Sequence, residues 1–136
     1  MFEHVVVGVT GSESGSAAVQ RALKVAKASG STLHLVSALE ARRPGPPPMP
    51  EEFRFSIGSV DPVDWRLWQL RVQAEQADVE AVTHAVLADP VDALVHVADE
   101  EQADLIIVGA GVSHGRHRAK VSDELVRKTD CAVLVV

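Results

Sequence analysis

Asp104 to Ser122 reads DLIIVGAGVSHGRHRAKVS, and the reading of the whole chain turns on this stretch. Leu105 to Val108 are continuously apolar, and three glycines, Gly109, Gly111 and Gly115, follow within seven residues. An apolar run of this length with turn signals at both ends suits a strand buried on both faces. Glycines directly after such a strand let the backbone turn sharply and approach a ligand closely. Arg116, His117, Arg118 and Lys120 come next, ahead of a helical pattern. The free N–H groups and positive dipole end of that helix favour an anion such as phosphate.

The same alternation extends outward in both directions. Phe2 to Val9 reads as a strand broken by Gly8-Val9-Thr10-Gly11-Ser12. Ala18, Ala22, Val25 and Ala26 then share one face of a helix that Ser12 or Ser14 would cap and Gly30 would end. Thr32 to Ala38 is a second strand, so the chain opens with a βαβ unit and a parallel strand pair. Glu40 to Ser59 holds five of the seven prolines and reads as a long irregular segment, functional or mobile. Asp61-Pro62 restarts a helix, Asp as N-cap and Pro at the first helical position. Val63, Leu67, Leu70, Ala74 and Ala77 form its buried stripe, widened by Trp65, Trp68 and Val72.

Val79 to Leu87 alternates as a third strand near a sheet edge, and Asp89-Pro90 opens a helix with Val91, Leu94, Val95 and Ala98 inward. Asp104 to Gly109 is the fourth strand, Val121, Leu125 and Val126 face inward on a last helix, and Ala132 to Val136 is the fifth strand. Five strands alternating with four helices predict one doubly wound α/β domain over residues 1–136, without internal repeats. The apolar last strand would aggregate if left unpaired, so a homodimer through it is expected.

Composition bounds the function. A net charge of −6 argues against a general nucleic-acid binder, leaving Arg116 to Lys120 as the one dense basic cluster. A single cysteine, Cys131, rules out an internal disulfide and fits a reducing compartment. No apolar run reaches the length of a membrane span, and MFEHVVVGV lacks the pattern of a signal peptide. The expectation is a soluble cytoplasmic protein. In open parallel sheets ligands bind beyond the carboxyl ends of the strands, where strand order reverses. If the first and fourth strands are neighbours, Thr10-Gly11-Ser12 and Gly109 to Gly115 flank one crevice.

HVVVGVTGSESGSAAVQRALKVA, ADLIIVG and VSDELVRKTDCAVLVV together resemble the universal stress protein family, and the resemblance spans the chain outside the Pro-rich segment. It implies a sheet of order 3-2-1-4-5, a dimer through the last strand and a stress-response regulator that acts by binding. It also implies a site for ATP or another adenine nucleotide, held by a glycine pattern of Gly, two residues, Gly, nine residues, Gly, then Ser or Thr. Gly109 takes the first glycine's place, and Val121-Ser122 the Val-Ser/Thr that follows the pattern. The loop between them is about three residues shorter than the family's motif spacing implies. Val112 stands at the second glycine, and Ala119-Lys120 replaces the closing Gly-Ser. Ala38 falls where a family residue lines the adenine, and Thr10 where the family usually has Asp at the nucleotide edge, beside Val9 and Gly11. Lys120 loses a hydroxyl and gains a charge that can meet a phosphate. The alternative function is a ligand-free dimeric interaction module that meets a partner through residues 40–59 or its dimer face.

Other reactive residue types have plainer readings. Gly109, Gly111 and Gly115 at minimum make a tight strand-to-helix turn, and the basic cluster at minimum is a solvated loop. His114 and His117 have a metal-ligand spacing, but no cysteine or nearby carboxylate completes a set, and no metal is expected. His4, His34, His84 and His96 are scattered over strands and one helix and read as structural or surface residues. Trp65 and Trp68 read as core or interface, and Cys131 as a buried, inert thiol. Ser12 has neither a base nor an oxyanion site spaced nearby, so no catalytic set is expected.

Overall fold

The computed structural model describes residues 2–10, 13–39, 62–110 and 121–136. The elements are β1 (His4–Gly8), α1 (Glu13–Ser29), β2 (Thr32–Ala38), α2 (Pro62–Gln76), β3 (Ala81–Val86), α3 (Pro90–Glu101), β4 (Leu105–Val108), α4 (Val121–Lys128) and β5 (Ala132–Val135). All neighbouring strand pairs are parallel and the sheet order is β3-β2-β1-β4-β5. Each strand therefore needs a crossover, and the helices supply it. The expected α/β architecture and strand order are what the chain forms.

Strand parity splits the core into two layers. Val5, Val7, Leu33, Leu35, Leu105 and Ile107 point to one face, where they pack with α1 and α2. Val6, Val36, Ile106 and Val108 point to the other, against α3 and α4. This is why β1 and β4 are apolar on every residue between their ends: both of their faces are covered. The edge strands are different. On β3 no residue is fully buried, and on β5 Leu134 and Val135 remain exposed.

Local signals set the helix ends. Gly30 has φ +67°, a left-handed conformation that ends α1 with little steric penalty only for glycine. Asp89 caps α3, its carboxylate accepting from the Asp92 N–H at 3.0 Å, and Pro90 follows with φ already suited to a helix. Pro62 likewise opens α2, while Asp61, its expected cap, lies outside the described residues, as do Ser12 and the segment 40–59. Ser14, the other candidate cap of α1, is inside that helix, which begins at Glu13.

Three expectations are corrected in detail. The first strand begins at His4, where the Glu3 and His4 N–H groups donate to the Asp104 side chain in place of a neighbouring strand. The third is shorter than Val79 to Leu87: the Val79 N–H bonds back to Ala74, and Leu87 is 71% exposed. Val126 is also turned outward, at 59% exposure, while Val121 and Leu125 on the same helix are buried.

Candidate functional site

The reversal of strand order falls between β1 and β4. From β1 the chain winds outward through β2 to β3, and then crosses back to β4 and β5. In open parallel sheets the crevice beyond the carboxyl ends of the strands at such a reversal is where ligands bind. Pairing continues just beyond the strands: the Val9 N–H donates to the Val36 carbonyl at 2.7 Å, and the Ala110 N–H to the Val136 carbonyl at 2.7 Å. Val9 and Gly109 are both buried.

Among the residues expected to contact a ligand, Val9 and Thr10 lie beyond the end of β1, Gly109 beyond the end of β4, and Ala38 at the end of β2. These are three adjacent strands. Val121 and Ser122 are the first two residues of α4, both buried, and Val121 packs in one cluster with Val108. Thr10 is partly exposed, in keeping with a place at the rim. Gly11, Gly111, Gly115 and Lys120 lie outside the described residues. The first turn of α4 contains Asp123 and Glu124, which already satisfy the positive end of its dipole. An anion there needs further cationic or N–H partners, such as Lys120 can supply.

A second cluster was not visible in the sequence. On the face covered by α3, His4, His34 and His84 form a row across β1, β2 and β3. His4 Nδ1 lies 3.1 Å from His34 Nε2, and His34 Nδ1 lies 3.0 Å from His84 Nε2. The rings are tilted against one another, with centroids 5.3 and 5.2 Å apart. Burial lowers the pKa of His34, with the charge of His84 adding to the effect and the Glu101 carboxylate opposing it. Burial likewise lowers His84. Both imidazoles are therefore neutral at pH 7, each with one donor and one acceptor nitrogen. His96 is exposed on α3, 3.8 Å from Glu100.

The remaining candidates behave more plainly. Cys131 is half-buried, its thiol donates to the Ala103 carbonyl at 3.3 Å, and burial raises its pKa, so it stays protonated and unreactive. Trp65 and Trp68 stack at 5.2 Å with Trp68 half exposed, a surface pair and not core.

A five-stranded parallel sheet whose strand order reverses between β1 and β4 defines the class as doubly wound α/β proteins. Comparison with known proteins narrows that class. The chain matches the universal stress protein family over residues 1–136, and it belongs to that family. It is 32% identical over 143 residues to universal stress protein Rv1636 of Mycobacterium tuberculosis, spanning 99% of this chain and 96% of the relative. Among solved structures, a universal stress protein in complex with cAMP is 32% identical, with a TM-score of 0.73 over 99% of this chain and 96% of its own. UspA from Lactobacillus plantarum, 17% identical, shares the fold with a TM-score of 0.75 over 98% of this chain and 97% of its own.

Proposed function

We propose that this protein is a stress-response regulator that acts by binding an adenine nucleotide in the crevice between β1 and β4, without turnover. The observation that carries the reading is the adjacency of those two strands, which brings Val9-Thr10 and Gly109 to one end of the sheet. Val9, Thr10 and Ala38 would meet the base and ribose, and Gly109 with Val121-Ser122 the phosphate. Gly11, Gly111, Gly115 and Lys120 complete the set from the sequence. The relative solved with cAMP supports a nucleotide with one phosphate. The loop between Gly109 and Val121 supports the same choice, because it is shorter than the family pattern and offers fewer N–H donors to a triphosphate chain.

Calorimetry with cAMP, AMP and ATP tests this. Binding of cAMP or AMP tighter than ATP is the expected result; no heat with any of them at millimolar concentration overturns the nucleotide reading. A nucleotide released from the purified protein on denaturation, identified by mass spectrometry, would be independent support.

One observation favours a second reading. Thr10 and Ala119-Lys120 replace the carboxylate and the closing Gly-Ser of the family site. In a protein that binds no nucleotide, the same fold serves as a dimeric interaction module. Loss of a protein partner on deletion of residues 44–50, in a chain that gives no calorimetric signal, is the outcome that selects it.

A further inference from the structure

The histidine row lies away from the crevice, and the nucleotide reading makes no use of it. His34 is 2% exposed and sits on β2 beneath α3. His84 is half-buried on the edge strand β3, and Glu101, the last residue of α3, is also half-buried. One ring nitrogen from each of His34 and His84 and a Glu101 carboxylate oxygen all lie within 4.8 Å of one another, and the two histidines face each other through His34 Nδ1 and His84 Nε2. We propose that His34, His84 and Glu101 form a binding site for a divalent transition-metal ion of the zinc class, with His4 as its positioning residue.

Ligand chemistry selects the ion. Two imidazoles and one carboxylate suit zinc or cobalt, whereas magnesium and calcium require oxygen ligands throughout. Zn–N bonds of about 2.0–2.1 Å at tetrahedral angles place two ligand nitrogens about 3.3 Å apart. The observed separation of 3.0 Å between His34 and His84 needs only a small opening. The two neutral rings share one proton along that line. In the tautomer where His84 Nε2–H donates to His34 Nδ1, an ion that takes the proton's place sends it to Nδ1 of His84, while His34 keeps its own proton on Nε2 and both rings remain neutral.

His4 provides the outer support that metal-bound histidines usually have. With His34 bound through Nδ1, its Nε2–H donates to Nδ1 of His4 at 3.1 Å, which fixes both tautomer and ring orientation. His4 is itself anchored, because its backbone N–H donates to the Asp104 carboxylate at 3.1 Å. Glu101 is held by the end of α3, where Gln102 takes the left-handed conformation and its N–H bonds back to the Ala98 and Asp99 carbonyls. Three protein ligands leave a fourth position for water. The partial exposure of His84 and Glu101 gives the ion a way in from the β3 edge.

The experiment uses the full chain stripped with EDTA, titrated with Zn²⁺ by calorimetry and with Co²⁺ by visible absorption. One site is expected, with Co²⁺ bands of four-coordinate geometry. His84→Gln and Glu101→Gln should each weaken binding by at least roughly tenfold and abolish those bands. A His114→Ala/His117→Ala double variant, which removes the other closely spaced histidine pair, should bind as the parent does. Far-UV circular dichroism identifies any variant that fails to fold, and Glu101→Gln, at a helix end, stands in if His84→Gln does so. Undetectable binding, parental affinity in both ligand variants, or loss of binding only in the His114/His117 variant each overturns the site.

Discussion

Asp104 shows how one exposed side chain joins distant parts of the chain. Its carboxylate accepts from the Glu3 N–H at 2.7 Å and the His4 N–H at 3.1 Å, tying the start of β1 to the approach of β4. These two bonds hold its pKa below the ordinary carboxylate value of 3.8. The ionised form is therefore favoured in the folded state, and this contribution is complete above that value and lost as pH falls below it. Asp104→Asn is expected to lower stability at pH 7 by no more than about 1 kcal/mol, since solvent screens so exposed a group. Denaturant curves of the two proteins should converge as pH falls well below 3.8, once the Asp104 carboxylate is protonated in the folded state as well. Gly30 is the other residue on which a local conformation depends. With φ at +67°, Gly30→Ala should cost about 1–2 kcal/mol although no neighbouring atom lies within 4 Å of the added carbon. Thermal denaturation checks it. Both Gly30 and the Asp89-Pro90 start of α3 were legible in the sequence because caps act over three or four residues. The partner of Asp104 was not, because it lies about a hundred residues away.

Helix α4 separates what periodicity predicts from what packing decides. Leu125 is fully buried against the β4 face, so Leu125→Ala should destabilise the fold by about 2–5 kcal/mol. Val126, one residue on, points to solvent, and Val126→Asp should stay within about 0.5 kcal/mol of the parent. Urea unfolding of the two variants gives the contrast directly. A helix of eight residues has room for one narrow apolar stripe, and a pair of adjacent apolar residues does not reveal which member it includes. Strands raise the same difficulty in another form. Parity alone puts His4, His34 and His84 on alternating positions of three strands. Their meeting depends on register: Val6 stands opposite His34, and Val36 opposite His84. Each histidine is thus two residues along the strand from its neighbour's partner, close enough for rings to touch diagonally.

At the scale of the molecule, the sheet ends in two unequal edges. β3 presents Val82 at 38% exposure, and β5 presents both Leu134 at 36% and Val135 at 45%. An open parallel edge of this kind invites pairing with another copy. If β5 forms a homodimer, Val135→Asp should turn a dimer into a monomer in analytical ultracentrifugation, and an unchanged dimer would exclude that geometry. Among the described residues no helix is long and apolar enough to cross a membrane. What the sequence by itself determined is the alternation of buried strands and amphipathic helices, the end of α1 at Gly30 and the start of α3 at Asp89, and therefore a parallel α/β sheet. These follow from side-chain periodicity and turn chemistry, which act within a few residues. Which strands are neighbours followed from the family resemblance and not from periodicity, and only the tertiary structure decided their register. That choice depends on how crossover helices pack on each face, a balance of contacts between residues far apart in the chain. The same packing sets β1 beside β4 to form the crevice, and it gathers three scattered histidines and Glu101 into one cluster.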